Sequence, residues 1–249
     1  MDSCDRQHTQ VKDAFIAEDL FQMQLAPNYF KWMLSFIRPH VGKRILEIGS
    51  GIGSFTEELL KIGDFVYGVE PNSFCVNTLK EKFAGEKRLK IIPKMLEDCD
   101  AQGLISQGFD TLVCCNVLEH IEDDHQAMLR FKEILQKTGG KLILWVPAMP
   151  CAYGPIDQAV GHFRRYSNKE IKLLMEKIGV KAFIYRYVNM LGFLGWYLNA
   201  HFRKKTKQSD SQIKLFNILV PFLSKIEKII PPPFGMSLFI VAEVPAQKL

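Results

Sequence analysis

The chain is short of the features that direct a protein into or across a membrane. No uninterrupted apolar stretch reaches the ~18 to 20 residues that a bilayer-spanning helix needs. The first residues, Met1-Asp2-Ser3-Cys4-Asp5-Arg6, are polar and charged, with no apolar segment of a secretory leader behind them. Cysteine is sparse and unpatterned: Cys4, Cys75, Cys99, Cys114, Cys115 and Cys151 form no Cys-x-x-Cys pair and no zinc-finger spacing. Cys114 and Cys115 adjoin inside an apolar run, where reduced thiols act as small core residues. The expected setting is cytoplasmic, with peripheral membrane association left open. Excess charge is also modest, a formal +5 over 249 residues, which permits an anionic partner without demanding one. The one dense basic run, Arg203-Lys204-Lys205-Thr206-Lys207, is short and reads as a solvated turn. Nucleic acid is therefore not an expected partner. No internal repeat or low-complexity segment is visible, and 47% hydrophobic with 24% charged residues is ordinary globular composition.

What the chain does have is Arg44-Ile45-Leu46-Glu47-Ile48-Gly49-Ser50-Gly51-Ile52-Gly53-Ser54-Phe55. It reads as a buried strand, a glycine-rich turn and a helix start, whose amide groups face a ligand. A dinucleotide fingerprint would place its third glycine one residue later, where Ser54 sits. Glu47 beside the turn suits a ligand carrying positive charge better than a bare pyrophosphate. One βα unit on, Phe65-Val66-Tyr67-Gly68-Val69 ends on Glu70, about 20 positions past the glycines, where an acid accepts ribose hydroxyls.

Strands are expected near 44–48, 65–70, 89–93, 109–114, 141–146, 181–188 and 237–244, with helices near 53–62, 73–83, 124–136 and 167–178. Their alternation predicts an α/β fold. Ser167 with Glu170 forms a capping box, and Gly179 sits where a helix-terminating glycine belongs. Before the first strand, Val11, Phe15, Ile16, Leu20 and Phe21, then Tyr29, Phe30, Met33, Leu34 and Ile37 repeat with helical spacing, broken at Pro27.

Together the glycine turn and Glu70 make the chain resemble class I S-adenosylmethionine-dependent methyltransferases. The resemblance implies a Rossmann-like, seven-stranded, mostly parallel sheet with helices on both faces. It also implies an N-terminal helical cap over 1–40 and a methyltransferase domain over 41–249, with a helical insert at about 189–233. S-adenosyl-L-methionine is the expected cofactor, held by Glu47, Gly49, Ser50, Gly51, Gly53, Glu70, Pro71 and Asn72. Leu96 or Met95 and Glu97 or Asp98 would meet the adenine. Phe21, Met23 or Tyr29 of the cap are further candidates to line the site, though core packing is the favoured reading for each.

Asn116, Val117, Glu119 and His120 follow the fourth strand, beyond the sheet edge where ligands gather. The segment resembles small-molecule and lipid methyltransferases, including ubiquinone-pathway enzymes that hold a metal with an acid where Asn116 stands; with asparagine there, no metal is expected. Tyr153 lies in a Pro- and Gly-rich loop. It is followed by Gly161-His162-Phe163-Arg164-Arg165-Tyr166, which resembles a block found in methyltransferases of bacterial polysaccharide and lipid pathways. The expected catalytic residues are His120 and His162, unranked. Glu119, Tyr153, Arg164, Arg165 and Tyr166 are expected to face substrate, with one arginine bridging Asp157 and the other facing the site. The expected reaction is methyl transfer, at oxygen, to a small-molecule, saccharide or lipid-like acceptor. The alternatives are a nicotinamide-dependent oxidoreductase and a non-catalytic S-adenosylmethionine-binding protein. The insert reads as a lid for a greasy acceptor, a membrane-surface helix pair carrying Trp196 and Tyr197, or a helical hairpin that packs on the sheet or forms a dimer interface. The oligomeric state is left open.

Overall fold

The computed structural model describes residues 20–247. Its elements in chain order are α1 (Pro27–Ile37), β1 (Arg44–Ile48), α2 (Thr56–Leu60), β2 (Phe65–Val69), α3 (Ser73–Lys82), β3 (Leu89–Ile92), α4 (Ala101–Ser106) and β4 (Thr111–Cys115). They continue with α5 (Asp124–Leu135), β5 (Lys141–Pro147), α6 (Pro155–Val160), α7 (Asn168–Lys177), β6 (Lys181–Val188), α8 (Met190–Leu198), α9 (Asp210–Ile229) and β7 (Ser237–Glu243). The seven strands form one sheet in the order β3-β2-β1-β4-β5-β7-β6. β7 runs antiparallel to both of its neighbours, and every other pairing is parallel. This is the Rossmann-like class I methyltransferase fold.

Both faces of the sheet are covered, so the central strands are apolar on both sides. Along β5, Leu142, Leu144 and Val146 enter one core with Met128, Phe131 and Ile134 of α5. Ile143 and Trp145 enter the other with Trp32, Met33 and Phe36 of α1. Tyr29 belongs to that second core: it is buried, and its hydroxyl accepts the Trp145 Nε1–H at 3.2 Å. It packs rather than lining a cofactor surface. Phe21 remains exposed and meets Phe74 edge-on. Val11, Phe15 and Ile16 lie outside the described residues.

The insert is a pair of helices with different neighbours. α8 runs into a five-residue π-helical turn over Asn199–Arg203. α9 lies on α1, where Asn28 N–H donates to Asn217 Oδ1 at 2.8 Å and Asn28 Nδ2 donates to the Asn217 carbonyl at 3.0 Å. Buried Glu227 of α9 accepts the Asn189 and Met190 amides at 2.8 and 2.9 Å, fixing the start of α8. No described helix is long and apolar enough to cross a membrane.

Candidate active site

The strand order reverses between β1 and β4, the point beyond the strand ends where ligands gather in open α/β sheets. The turn after β1 forms one wall. Gly49 has φ +73°, and a Cβ there would lie 2.2 Å from Val117 Cγ2, so only glycine lets this turn abut the loop after β4. Gly51, at φ +53°, donates its N–H to Glu70 Oε2 at 2.8 Å, while Glu70 Oε1 accepts the Asn72 amide at 2.9 Å. Glu70 is thus pinned across the glycine turn and the start of α3. Asn72 caps α3, accepting the Cys75 amide at 3.1 Å. Lys82 closes the far side, reaching the Gly53 carbonyl at 3.1 Å and Glu57 at 2.9 Å. Leu20 lies over Gly51, its Cδ1 3.3 Å from where a Cβ would stand.

Glu47 differs from expectation. It is buried beneath the turn and accepts the Thr56 hydroxyl at 2.6 Å. Burial pushes its carboxyl up to about 7, against the pull of that hydroxyl. Ser54 Oγ is buried with no partner among the described residues, a polar group that a ligand in the turn would satisfy. In the loop after β3, Leu96 is 5% exposed and packed in the core, whereas Met95 is 49% exposed. Met95 therefore replaces Leu96 as the apolar side chain with surface to offer. Glu97 and Asp98 are exposed beside it.

The opposite wall comes from the loops after β4 and β5. A 3₁₀ turn over Leu118–His120 carries Glu119, which is fully buried with neither carboxylate oxygen hydrogen-bonded among the described residues. Burial pushes it up to about 7 although His162 and Arg165 pull it down. His162 Nε2 lies 3.8 Å from Glu119 Oε1, and the His120 and His162 rings meet edge-on with centroids 4.6 Å apart. His162 Nδ1 lies 2.8 Å from buried Asp157 Oδ1. The same oxygen accepts Arg165 Nε–H at 2.8 Å, and Oδ2 accepts the Gly154 amide at 3.0 Å and Trp196 Nε1–H at 3.3 Å. Burial would raise Asp157, but His162 and Arg165 together hold it below the ordinary carboxylate range.

Both arginines are engaged in the framework. Arg165 is buried, bound to Asp157 and stacked on Trp196 with its guanidinium 4.8 Å from the ring centre. Arg164, expected to face substrate, instead pairs with Asp124 at 2.8 Å and donates to the Glu122 carbonyl at 2.6 Å. Tyr166 is buried, and its hydroxyl donates to Asp124 at 3.0 Å. Tyr153 donates to the His162 carbonyl at 2.8 Å, holding the loop on which that histidine sits. Asn116, at φ +52°, is exposed at the rim. Glu119, His120 and His162 each offer one ligand atom, all within 4.8 Å of one another, and are the described residues that could hold a metal ion. The sequence reading did not foresee Trp196 at this site. Its indole donor inside an apolar insert was the available signal, since a buried Trp N–H seeks an acceptor.

Residues 46–142 match the family model Methyltransf_12, described as a methyltransferase domain. Among curated proteins, the tRNA U34 carboxymethyltransferase of Pseudomonas savastanoi pv. phaseolicola is 32% identical over 143 residues, 55% of this chain and 43% of its own length. The protein of the same name from Pseudomonas fluorescens (strain SBW25) is 34% identical over 119 residues, 45% of this chain and 36% of its own. The chain thus spans less than half the length of these relatives. Among solved structures, a putative methyltransferase complexed with the Haloferax volcanii Trm112 activator aligns at TM-score 0.66 and 14% identity, covering 96% of this chain and 98% of that one. An S-adenosylmethionine-dependent methyltransferase from Mesorhizobium loti aligns at 0.56 and 14% identity, over 85% and 95%. Residues 46–142 thus match a methyltransferase domain, and the fold is one shared with S-adenosylmethionine-dependent methyltransferases of solved structure. The nicotinamide alternative falls with that match. Relatives named for a tRNA overturn two expectations: a small-molecule, saccharide or lipid-like acceptor, and the exclusion of nucleic acid as a partner.

Proposed function

We propose that this chain transfers a methyl group from S-adenosylmethionine to an RNA acceptor. Glu70 carries the reading: a buried carboxylate locked by the amides of Gly51 and Asn72, at the tip of the strand beside the glycine turn. That placement suits a ribose diol, with Pro71 and Asn72 bordering it. The backbone at Gly49, Ser50, Gly51 and Gly53 would hold the methionine end, with Glu47 bracing the turn from below. Met95 with Glu97 or Asp98 would meet the adenine, and Asn116 and Val117 would border the reacting end. Residues 20–40 would cap the donor, with Leu20 lying over Gly51.

When bound, the cofactor supplies an electrophilic methyl on a sulfonium, so the protein's main task is in-line placement. Asp157 accepts the Nδ1 proton of His162, which fixes the tautomer and leaves Nε2 beside Glu119 to take a proton from the acceptor atom. His162 rather than His120 is therefore the base. Glu119, with its carboxyl near 7, takes up charge that develops on His162. The relatives' names, which specify a tRNA, support the RNA acceptor.

The test is incubation of the purified protein with donor labelled on its methyl group and, separately, total RNA, protein and lipid extracts. Label in RNA is expected, and label only in the other fractions, or in none, refutes the reading. The mass of the modified nucleoside separates a methyl from a carboxymethyl product.

A further inference from the structure

We infer that the turn at residues 201–207 is the phosphate-backbone contact of the acceptor, seated on the lip of the active-site loop. This rests on the RNA reading above and names the surface that would serve it. Arg203, Lys204, Lys205 and Lys207 lie within five residues, and no acidic residue occurs between Glu176 and Asp210. All of 201–207 is exposed, and Phe202 is 75% exposed.

The turn is held in place. Lys204, in the left-handed region at φ +52°, donates its N–H to the Asn199 carbonyl at 2.7 Å. The Asn199 side chain donates to the Lys205 carbonyl at 2.9 Å and accepts the Lys205 amide at 3.3 Å. A positive charge cluster on a fixed backbone loses less freedom on binding than one on a mobile loop.

Its position gives the turn its meaning. His201 Nε2 lies 2.8 Å from the Cys151 carbonyl, in the loop that follows β5. A Cβ on Gly154 would lie 2.7 Å from Ala200 Cβ, so the loop and the π-helical turn are in direct contact. One helical turn earlier, Trp196 reaches Asp157, which holds His162. The basic turn is therefore fastened to the same loop that carries the acceptor-side carboxylate. A polyanion lying on it is delivered to the site, and an exposed Phe202 beside the cations offers a face on which an unpaired base can stack. A single-stranded RNA segment fits both features.

The test compares the parent with Arg203→Gln/Lys204→Gln/Lys205→Gln and, separately, Phe202→Ala. RNA affinity is measured across salt concentrations, alongside KM and kcat for labelled transfer into RNA. Each lost phosphate contact lowers the salt slope of single-strand binding by about 0.7, so the triple variant should lose about 2 from log K against log[salt]. Its KM should rise by about tenfold or more at ~0.1 M salt, outweighing any change in kcat. Phe202→Ala should weaken binding by about fivefold or more with its salt slope unchanged. Affinity for S-adenosylhomocysteine and the melting temperature should match the parent, showing that the fold is intact. If the parent methylates RNA and the triple variant keeps its slope and KM, the surface assignment is wrong while the RNA reading stands. If the parent labels no RNA, the RNA reading itself fails and this inference with it. Loss of binding to anionic phospholipid vesicles, with RNA binding unchanged, also overturns the assignment.

Discussion

Asp157→Asn probes the acceptor side most sharply. In the parent, one buried carboxylate accepts from His162, Arg165, Gly154 and Trp196. An amide keeps the shape but removes the charge and puts an NH₂ where one accepting oxygen stood. Arg165 is then a buried guanidinium without its counter-charge, and breaking a buried pair in this way costs about 3–5 kcal/mol. For a domain of this size about 2–4 °C accompanies each kcal/mol, so the melting temperature should fall by about 6–20 °C. Thermal unfolding followed by circular dichroism reads this directly. A fall below about 3 °C would refute the idea that the carboxylate neutralises a buried charge. The double variant Asp157→Asn/Arg165→Met should recover much of the loss, because removing both partners leaves no orphan charge. The pH dependence has a definite sign. The Asp157 carboxyl is depressed in the folded state, so its contribution is present above the unfolded value of about 3.9 and is lost as pH falls through the folded value. The parent's advantage over Asp157→Asn should therefore shrink in acid below about pH 4.

Glu119 carries the opposite sign. Its carboxyl is raised to about 7, so the folded state holds a proton that the unfolded chain releases, and stability falls as pH rises from about 4.5 through 7. Glu119→Gln should gain on the parent by up to about 3 kcal/mol between pH 4.5 and 8 in denaturant titrations, and an equal difference at both ends would sink this account. Glu70→Ala removes two amide acceptors and the proposed ribose contact; at about 1.5–3 kcal/mol for a charged hydrogen bond, S-adenosylhomocysteine binding should weaken by about tenfold to a hundredfold by calorimetry, and parental affinity would discredit the site. With His162 acting as the base, treatment with a chelator should leave the rate unchanged. A rate lost to chelation and restored by a divalent ion would instead make Glu119, His120 and His162 ligands.

The strands were legible because each is a compact β-rich run beside a turn signal, and β1 and β6 fall where they were expected. Ser167 and Glu170 close their capping box at 3.2 and 2.7 Å, and Gly179 has φ +66°. The helix expected from residue 53 begins only at Thr56 because the positive-φ glycines cannot be helical. α4 and α6 went unseen because six residues are too few to show a period. The approach of Gly51 to Glu70 was readable from spacing, since the two join through a βαβ unit of fixed geometry, whereas the burial of Glu47 and Leu96 was not. Nor was the acceptor side. Asp157 lies far from Glu119 in sequence, and it is tertiary packing that decides that Arg164 takes Asp124 while Arg165 takes Asp157.

That packing also explains why the insert cannot be treated as an appendage. α8 could have packed on the sheet by apolar contact alone, yet its one indole donor is placed on the carboxylate that holds His162, and its face covers Arg165. Next to the turn at 201–207, Ala200 abuts Gly154 and Trp196 donates to Asp157, two contacts on one short loop. On the proposed assignment, seating an acceptor on that turn and setting the histidine tautomer would draw on the same loop. Trp196→Phe separates the two: it keeps the ring over Arg165 but removes the N–H to Asp157. If the contacts act together, this variant should lose kcat by a few-fold with the salt slope of RNA binding intact. If kcat is unchanged, the indole is only packing and the coupling argued here is absent.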